Sequence, residues 1–241
     1  MPIDPAPTTD ASAADVPLSK LPNFDPRAVP VVGTDAHLPA VPLAQLQPQA
    51  LRARFRNPPR WEPEAWAERR FSDRQPAQAS VLVPIVMRAQ PTVLLTERTT
   101  HLSTHSGQVA FPGGKRDESD ADAVHTALRE AQEEIGLEPD RVEVIGQLPT
   151  YTTGTMFIIT PVIALVEPDH ALALNAYEVA DAFEVPLAFL MNPAHHRRHH
   201  FEWSGSRREW LSMPYMDGTS ERFIWGATAA MLRNFYRFLA A

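Results

Sequence analysis

The stretch from Phe111-Pro112-Gly113-Gly114-Lys115 to Arg129-Glu130-Ala131-Gln132-Glu133-Glu134-Ile135-Gly136-Leu137 leaves the chain little choice of local structure. A double glycine opens it, a run of good helix formers follows, and Gly136 supplies the residue that most readily takes a left-handed helix cap. Asp117, Ser119 and Asp120 are all candidate N-caps, and acids in a first turn suit the helix dipole, so the helix is expected over residues 120–135. At about 100° per residue, Glu130, Glu133 and Glu134 fall within an arc of roughly 100°, apart from an apolar stripe of Val124, Leu128, Ala131 and Ile135. The acids therefore share a face that the core does not claim. Arg129 precedes Glu133 by one turn, in reach of an (i, i+4) ion pair.

Clustered like charges destabilise a helix unless something neutralises them. On its own, an Arg-Glu-x-x-Glu-Glu run is ordinarily a solvated face. The glycines on both sides favour a site instead. Gly113-Gly114 lets the backbone approach a ligand closely, and a carbonyl in that turn could complete a metal shell. Lys115 and Arg116 are placed to meet phosphate charge. All-oxygen ligands point to a hard cation, Mg²⁺ or Mn²⁺, which takes one or two carboxylates plus substrate phosphate.

The remainder reads as scaffold. Ten of the 24 prolines fall within the first 48 positions, so residues 1–41 are expected to form a mobile, proline-rich tail and residues 42–241 the folded domain. That domain should begin with a short helical segment over 43–56, interrupted by Pro48, and a second over 61–70 anchored by Trp61, Trp66 and Phe71. Strands are expected at 80–87, with Pro84 marking an edge or bulge, and at 92–98, 108–111, 141–148 and 157–166. A short helix should start at Pro186, a hairpin should turn at Ser204-Gly205, and the last strand, 223–226, should lead into a helix over 227–239. Strands and helices do not alternate regularly, so the fold class is α+β with a mixed central sheet and not a doubly wound parallel sheet.

Several classes of function are excluded or disfavoured. The chain has no cysteine, so disulfides, thiolate zinc sites and a cysteine nucleophile are out. A net charge of −7 argues against nucleic acid as a partner. No apolar run approaches the ~20 residues of a spanning helix, and the N-terminus lacks a signal pattern, so a cytoplasmic protein with no membrane partner is expected. A homodimer is left open.

Arg129 to Leu137 resembles the second half of the Nudix box, the signature of Nudix hydrolases, at every fixed position. The first half departs from it: counted from Gly114, Asp120 stands where the family has Glu, and Arg129 arrives one residue late. The flanks, 94–98, 105–115 and 126–130, resemble the coenzyme A pyrophosphatase subgroup. The resemblance implies an α/β/α sandwich that hydrolyses a diphosphate, here coenzyme A, to 3′,5′-ADP and 4′-phosphopantetheine. It implies Glu130 and Glu134 as principal metal ligands, Glu133 as a third or a metal-water contact, the Gly113 carbonyl as a ligand, and Arg129 as the residue that orients the carboxylates. The base is left among Glu134, Glu178 and Glu184.

Other residues carry two readings each. Arg98 can bind substrate phosphate or form a salt bridge. His105 can contact phosphate or shape the glycine loop. His195 to His200 read as a solvated loop or strand edge, with a contact to a 3′-phosphate as the minority reading, and Trp203 and Trp210 read as core. Two alternatives to coenzyme A turnover remain: hydrolysis of another nucleoside diphosphate such as ADP-ribose or NADH, and a Nudix module that binds nucleotide without cleaving it.

Overall fold

The computed structural model describes residues 24–65, 75–100, 107–203 and 205–241. In chain order these form β1 (Val31–Thr34), α1 (Pro48–Arg56), β2 (Ala77–Val86), β3 (Thr92–Arg98), β4 (Val109–Ala110), β5 (Gly113–Lys115) and α2 (Ala123–Ile135). They continue with β6 (Val142–Gln147), β7 (Tyr151–Thr152), β8 (Phe157–Val166), β9 (Val179–Pro186), α3 (Leu187–Leu190), β10 (Arg197–Trp203), β11 (Ser206–Asp217), β12 (Ser220–Trp225) and α4 (Gly226–Ala240).

The larger sheet is mixed. β2 and β8 run parallel in unbroken register from Ala77↔Phe157 to Val86↔Val166, and β3, β4, β5, β6, β7 and β9 attach antiparallel around them. Both central strands are near-continuous apolar runs because both faces are covered. Leu82, Val86, Val162, Ala164 and Val166 turn to α2, where they meet Ala127, Ala131 and Ile135. Val83, Ile85, Ile163 and Leu165 turn the other way, to a core shared with Leu51, Leu187, Met213, Leu232 and Phe235. The strand period of two sorts alternate residues into two cores, so the sheet sits between helical layers. This is the expected α+β architecture.

Pro84 lies in the middle of β2, not at an edge. Leu82 N–H donates to Pro112 O at 2.9 Å, and residue 84 faces the same side two positions on. On that side the ladder to β5 covers Ala79–Val81 and the ladder to β3 covers only Ile85 and Val86. The missing donor of Pro84 thus falls in the gap between two neighbours.

The smaller sheet runs β1-β10-β11-β12. Its first strand comes from the region expected to be a mobile tail. Val31–Thr34 pairs with β10, and Asp35 is buried, accepting from Arg198 Nε and Nη2 at 2.8 Å each and lying 3.2 Å from Arg233 Nη1. A backbone ladder and a buried ion pair outweigh the local proline content. Residues 1–23 lie outside the described residues, as do Trp66 and Phe71. Residues 61–65 form no helix, although Trp61 packs edge-on against Phe238 with ring centroids 5.5 Å apart. Among the described residues, no helix is long and apolar enough to cross a membrane.

Candidate active site

The glycine turn and the acidic helix face meet at the edge of β2. β5 pairs with β2 in the register Val81↔Gly113, Ser80↔Gly114 and Ala79↔Lys115. A Cβ on Gly113 would collide with Ser80 O and lie 2.6 Å from Val81 Cα, so only glycine lets this strand close against β2. A Cβ on Gly114 would lie 2.5 Å from Glu130 Cδ and 2.6 Å from both carboxylate oxygens. The absent side chain is the space in which Glu130 sits.

The helix begins three residues later than expected. Its N-cap is Asp122, whose Oδ1 accepts from His125 N–H at 2.9 Å, and it ends at Gly136 with φ +66°. Asp120 lies in the preceding loop and does something else. Its side chain is fully buried and accepts from Arg129 Nε and Nη2, both at 2.9 Å, and from Asp117 N–H at 2.9 Å. The two bonds from Arg129 hold its carboxyl well below the usual carboxylate range despite burial. Arg129 also reaches Glu133 at 3.0 Å, Glu130 at 3.0 Å and the Lys115 carbonyl at 3.2 Å. One guanidinium thereby links the loop, the glycine strand and two of the three acids.

The three acids differ in burial. The Glu133 side chain is 58% exposed, Glu130 is largely enclosed, and Glu134 is buried. Glu134 Oε2 accepts from Gly113 N–H at 3.0 Å, and Oε1 lies 3.7 Å from Arg98 Nη1. Burial outweighs both partners and, with the charges of Glu130 and Glu178, pushes the Glu134 carboxyl up to about 7. Glu130 is pushed up as well, first by burial, against the pull of Arg129, with Glu133 and Glu178 adding repulsion. Two desolvated carboxylates that resist ionising are short of positive charge.

Among the described residues, no three Asp, Glu or His side chains are grouped ready to hold a metal ion. The donor chemistry nevertheless fits a hard divalent cation: oxygen donors only, two of them enclosed, with repulsion among Glu130, Glu133, Glu134 and Glu178 that a cation would relieve.

The expected phosphate contacts divide. Lys115 is exposed and lines a shallow depression of about 340 Å³ with Gln78, Arg116, Asp117 and Glu118. Arg116 turns to the loop, donating to Asp120 O at 2.9 Å and Ala121 O at 3.0 Å. Arg98 Nη1 lies 3.7 Å from Glu134 Oε1, and its buried Nε has no hydrogen-bond partner among the described residues. His105 lies outside the described residues. Glu184 is held by Arg88 at 2.6 Å and by the Thr92 hydroxyl, at the end of β9 away from Glu178. His196 and His199 are not solvated, as expected of that run, but buried: His196 Nε2 bonds Leu190 O at 2.8 Å, and His199 stacks on the buried Trp210.

A glycine strand, a loop that buries Asp120 against Arg129 and an acidic helix, in this order along the chain, form the candidate site on an α/β/α frame. The NUDIX domain family matches residues 76–204, more than half of the chain, and the chain belongs to the Nudix family. The relatives narrow this to the hydrolases. An uncharacterized Nudix hydrolase, NudL, of Escherichia coli K12 is 44% identical over 161 residues, covering 65% of this chain and 80% of its own. NudL of Shigella boydii matches to the same extent. Among solved structures, the Nudix hydrolase RenU of M. smegmatis superposes with a TM-score of 0.41 at 26% identity, over 52% of this chain and 80% of that one.

Proposed function

We propose that the chain hydrolyses the diphosphate bond of coenzyme A or its acyl derivatives, giving 3′,5′-ADP and 4′-phosphopantetheine or its acyl form. The observation that carries the hydrolase part is the pair Glu130 and Glu134, enclosed against Gly113-Gly114 and each raised in pKa first by burial, with the charges of Glu133 and Glu178 adding at Glu130 and those of Glu130 and Glu178 adding at Glu134. The coenzyme A part rests on the stretches 94–98 and 105–115 flanking the glycines.

In this reading Glu130 and Glu134 hold Mg²⁺ or Mn²⁺, Glu133 serves at the exposed rim, and the Gly113 carbonyl adds a ligand. When bound, the cation supplies Lewis acidity and charge neutralisation to the diphosphate. Arg129 fixes the Glu130 and Glu133 carboxylates and leans on Asp120 to do so. Arg98 steadies Glu134 and meets the substrate, with His105. Lys115 offers its ammonium to the phosphates, and Arg116 keeps the loop that carries it in shape. In this reading Glu134 or Glu178 accepts the proton from the attacking water; the hold of Arg88 and Thr92 on Glu184 supports leaving that third candidate aside.

The test is a panel of coenzyme A, acetyl-coenzyme A, ADP-ribose and NADH, assayed with Mn²⁺ and ranked by kcat/KM with product identification. Coenzyme A or its acetyl ester should rank first and release 3′,5′-ADP. A higher rank for ADP-ribose or NADH moves the substrate to another nucleoside diphosphate. Tight binding without turnover of any member makes the chain a nucleotide-binding module.

A further inference from the structure

Two acids face each other across β3 and β9. Glu97 and Asp181 are direct partners in the antiparallel pair, and like charges so placed push strands apart. Arg222, on β12 of the smaller sheet, answers both. Its Nη1 lies 2.9 Å from Glu97 Oε2 and its Nη2 2.5 Å from Asp181 Oδ2. Nη2 and Nε also reach Asp217 Oδ2, at 3.1 and 3.2 Å, and the guanidinium sits 4.2 Å from the centroid of the Phe183 ring. The other oxygen of Asp181, Oδ1, accepts from Ala182 N–H at 2.9 Å.

The next step along the two strands is irregular. Arg98 pairs with Val179, so Ala180 is passed over as a β-bulge. The extra residue changes the side the chain presents. Phe183 and Val185 lie in the core shared with α4, on the face that Arg222 covers, whereas Val179 lies in the core beneath α2 with Leu94, Ala127 and Ala131. Strict alternation would have left Val179 on the side of Asp181 and Phe183. Immediately before Val179 stands Glu178. Its carbonyl accepts from Thr99 N–H at 3.0 Å, its own N–H donates to Asn175 O, and Asn175 N–H donates to Glu134 O, the last two at 2.9 Å. The charge of Glu178 acts on both Glu130 and Glu134.

We propose that Arg222 is a positioning residue for the acidic site: by neutralising Glu97 and Asp181 it fixes the bulge that sets where the Glu178 charge falls relative to Glu130 and Glu134. The inference rests on the metal reading of those acids. Arg222 acts on them through β9, from the opposite face of the sheet, and touches neither. Its side chain is only 15% exposed, so water cannot readily replace it, and its loss leaves Glu97, Asp181 and Asp217 together without their shared cation. Repulsion between Glu97 and Asp181 would then open the pair one step from the bulge. A bulge beside a functional site re-aims the residues that follow it, and here the first of these toward the loop are Val179 and Glu178.

Calorimetric titration of Mn²⁺ into the full chain reads this without any substrate. Arg222→Met should weaken Mn²⁺ binding about 10-fold, in protein whose circular dichroism matches wild type. In a Glu178→Gln background the same substitution should change the affinity by less than about 2-fold. Adding Asp181→Asn to Arg222→Met removes one of the facing charges and should recover most of the lost affinity. Unchanged Mn²⁺ affinity in Arg222→Met overturns the proposal. So does an equal loss with and without Glu178, which would make Arg222 a residue of stability alone, and so does a double variant as weak as Arg222→Met. Where Arg222→Met does not fold, Arg222→Lys, which keeps a charge but loses the fork, takes its place under the same criteria. Wild-type protein that binds no Mn²⁺ would refute the metal site and this inference with it, whereas a lack of coenzyme A turnover bears on the substrate alone.

Discussion

Replacing Asp120 by Asn exchanges one carboxylate oxygen for an amide and leaves the volume unchanged. The carboxylate is fully buried and takes two charge-assisted bonds of 2.9 Å from Arg129. In Asp120→Asn one acceptor remains, and the new NH₂ faces a guanidinium that can only donate. Breaking a buried ion pair from one side costs 3–5 kcal/mol; because the Arg129 side chain keeps 22% exposure, about 3 kcal/mol is the expected loss. For a chain of this size that lowers Tm by about 6–12 °C at pH 7. Linkage sets the pH dependence. A carboxylate whose folded pKa is depressed stabilises the fold above its unfolded value of 3.8 and loses that contribution as pH falls through the folded pKa. The Tm gap between wild type and Asp120→Asn should therefore be full at pH 7 and narrow below about pH 4. Differential scanning calorimetry across pH 3–8 reads it. A gap under about 2 °C at pH 7, or one that widens in acid, would refute the anchoring role given to Asp120.

The other expectations concern the site itself. Glu134 has a folded pKa raised to about 7 from 4.5, so its ionisation opposes folding increasingly as pH rises across that window. Glu134→Gln should therefore stabilise the metal-free protein at pH 8 by up to about 3 kcal/mol, have no such effect at pH 4, and remove activity; denaturant unfolding in EDTA checks the sign. Gly114→Ala places a methyl against the far end of the Glu130 side chain, which can yield by rotating where backbone could not, so kcat should fall about 100-fold at nearly unchanged Tm. Gly113→Ala meets backbone atoms of Ser80 and Val81 instead, and soluble expression and Tm should suffer before kinetics can be measured.

The acidic helix was readable because each of its signals is local. Helical spacing separated the acids from the apolar stripe, and Gly136 marked the end. Its start was not readable: Asp117, Ser119 and Asp120 all offered themselves as caps, and only the folded loop assigns Asp120 to Arg129, nine positions on, and gives the cap to Asp122, which the sequence reading had passed over. The one-residue shift before Arg129 was the available hint that this loop has its own geometry. Partnerships between distant residues left no trace in the sequence. Asp35 meets Arg198 and Arg233, and Glu64 meets the same two arginines, in a buried network that draws the expected tail onto the domain. The histidine run misled for the same reason. His196 and His199 are polar in sequence but buried in the fold, where Leu190 O, Val29 O and Ser212 Oγ satisfy them. Among the three base candidates the sequence left open, only the fold separates Glu178 from Glu184: the loop before β9 folds back onto α2, so the Glu178 charge acts on Glu130 and Glu134, while Glu184 is held by Arg88.

The account stands on Glu130 and Glu134 acting together on a diphosphate. The most direct test is release of 3′,5′-ADP from coenzyme A in Mn²⁺ by wild type, Glu130→Gln and Glu134→Gln, with circular dichroism confirming that all three are folded. Wild type should turn over, and each variant should lose at least about 100-fold in kcat. Folded variants that release 3′,5′-ADP at the wild-type rate would contradict the assignment of the site to these carboxylates.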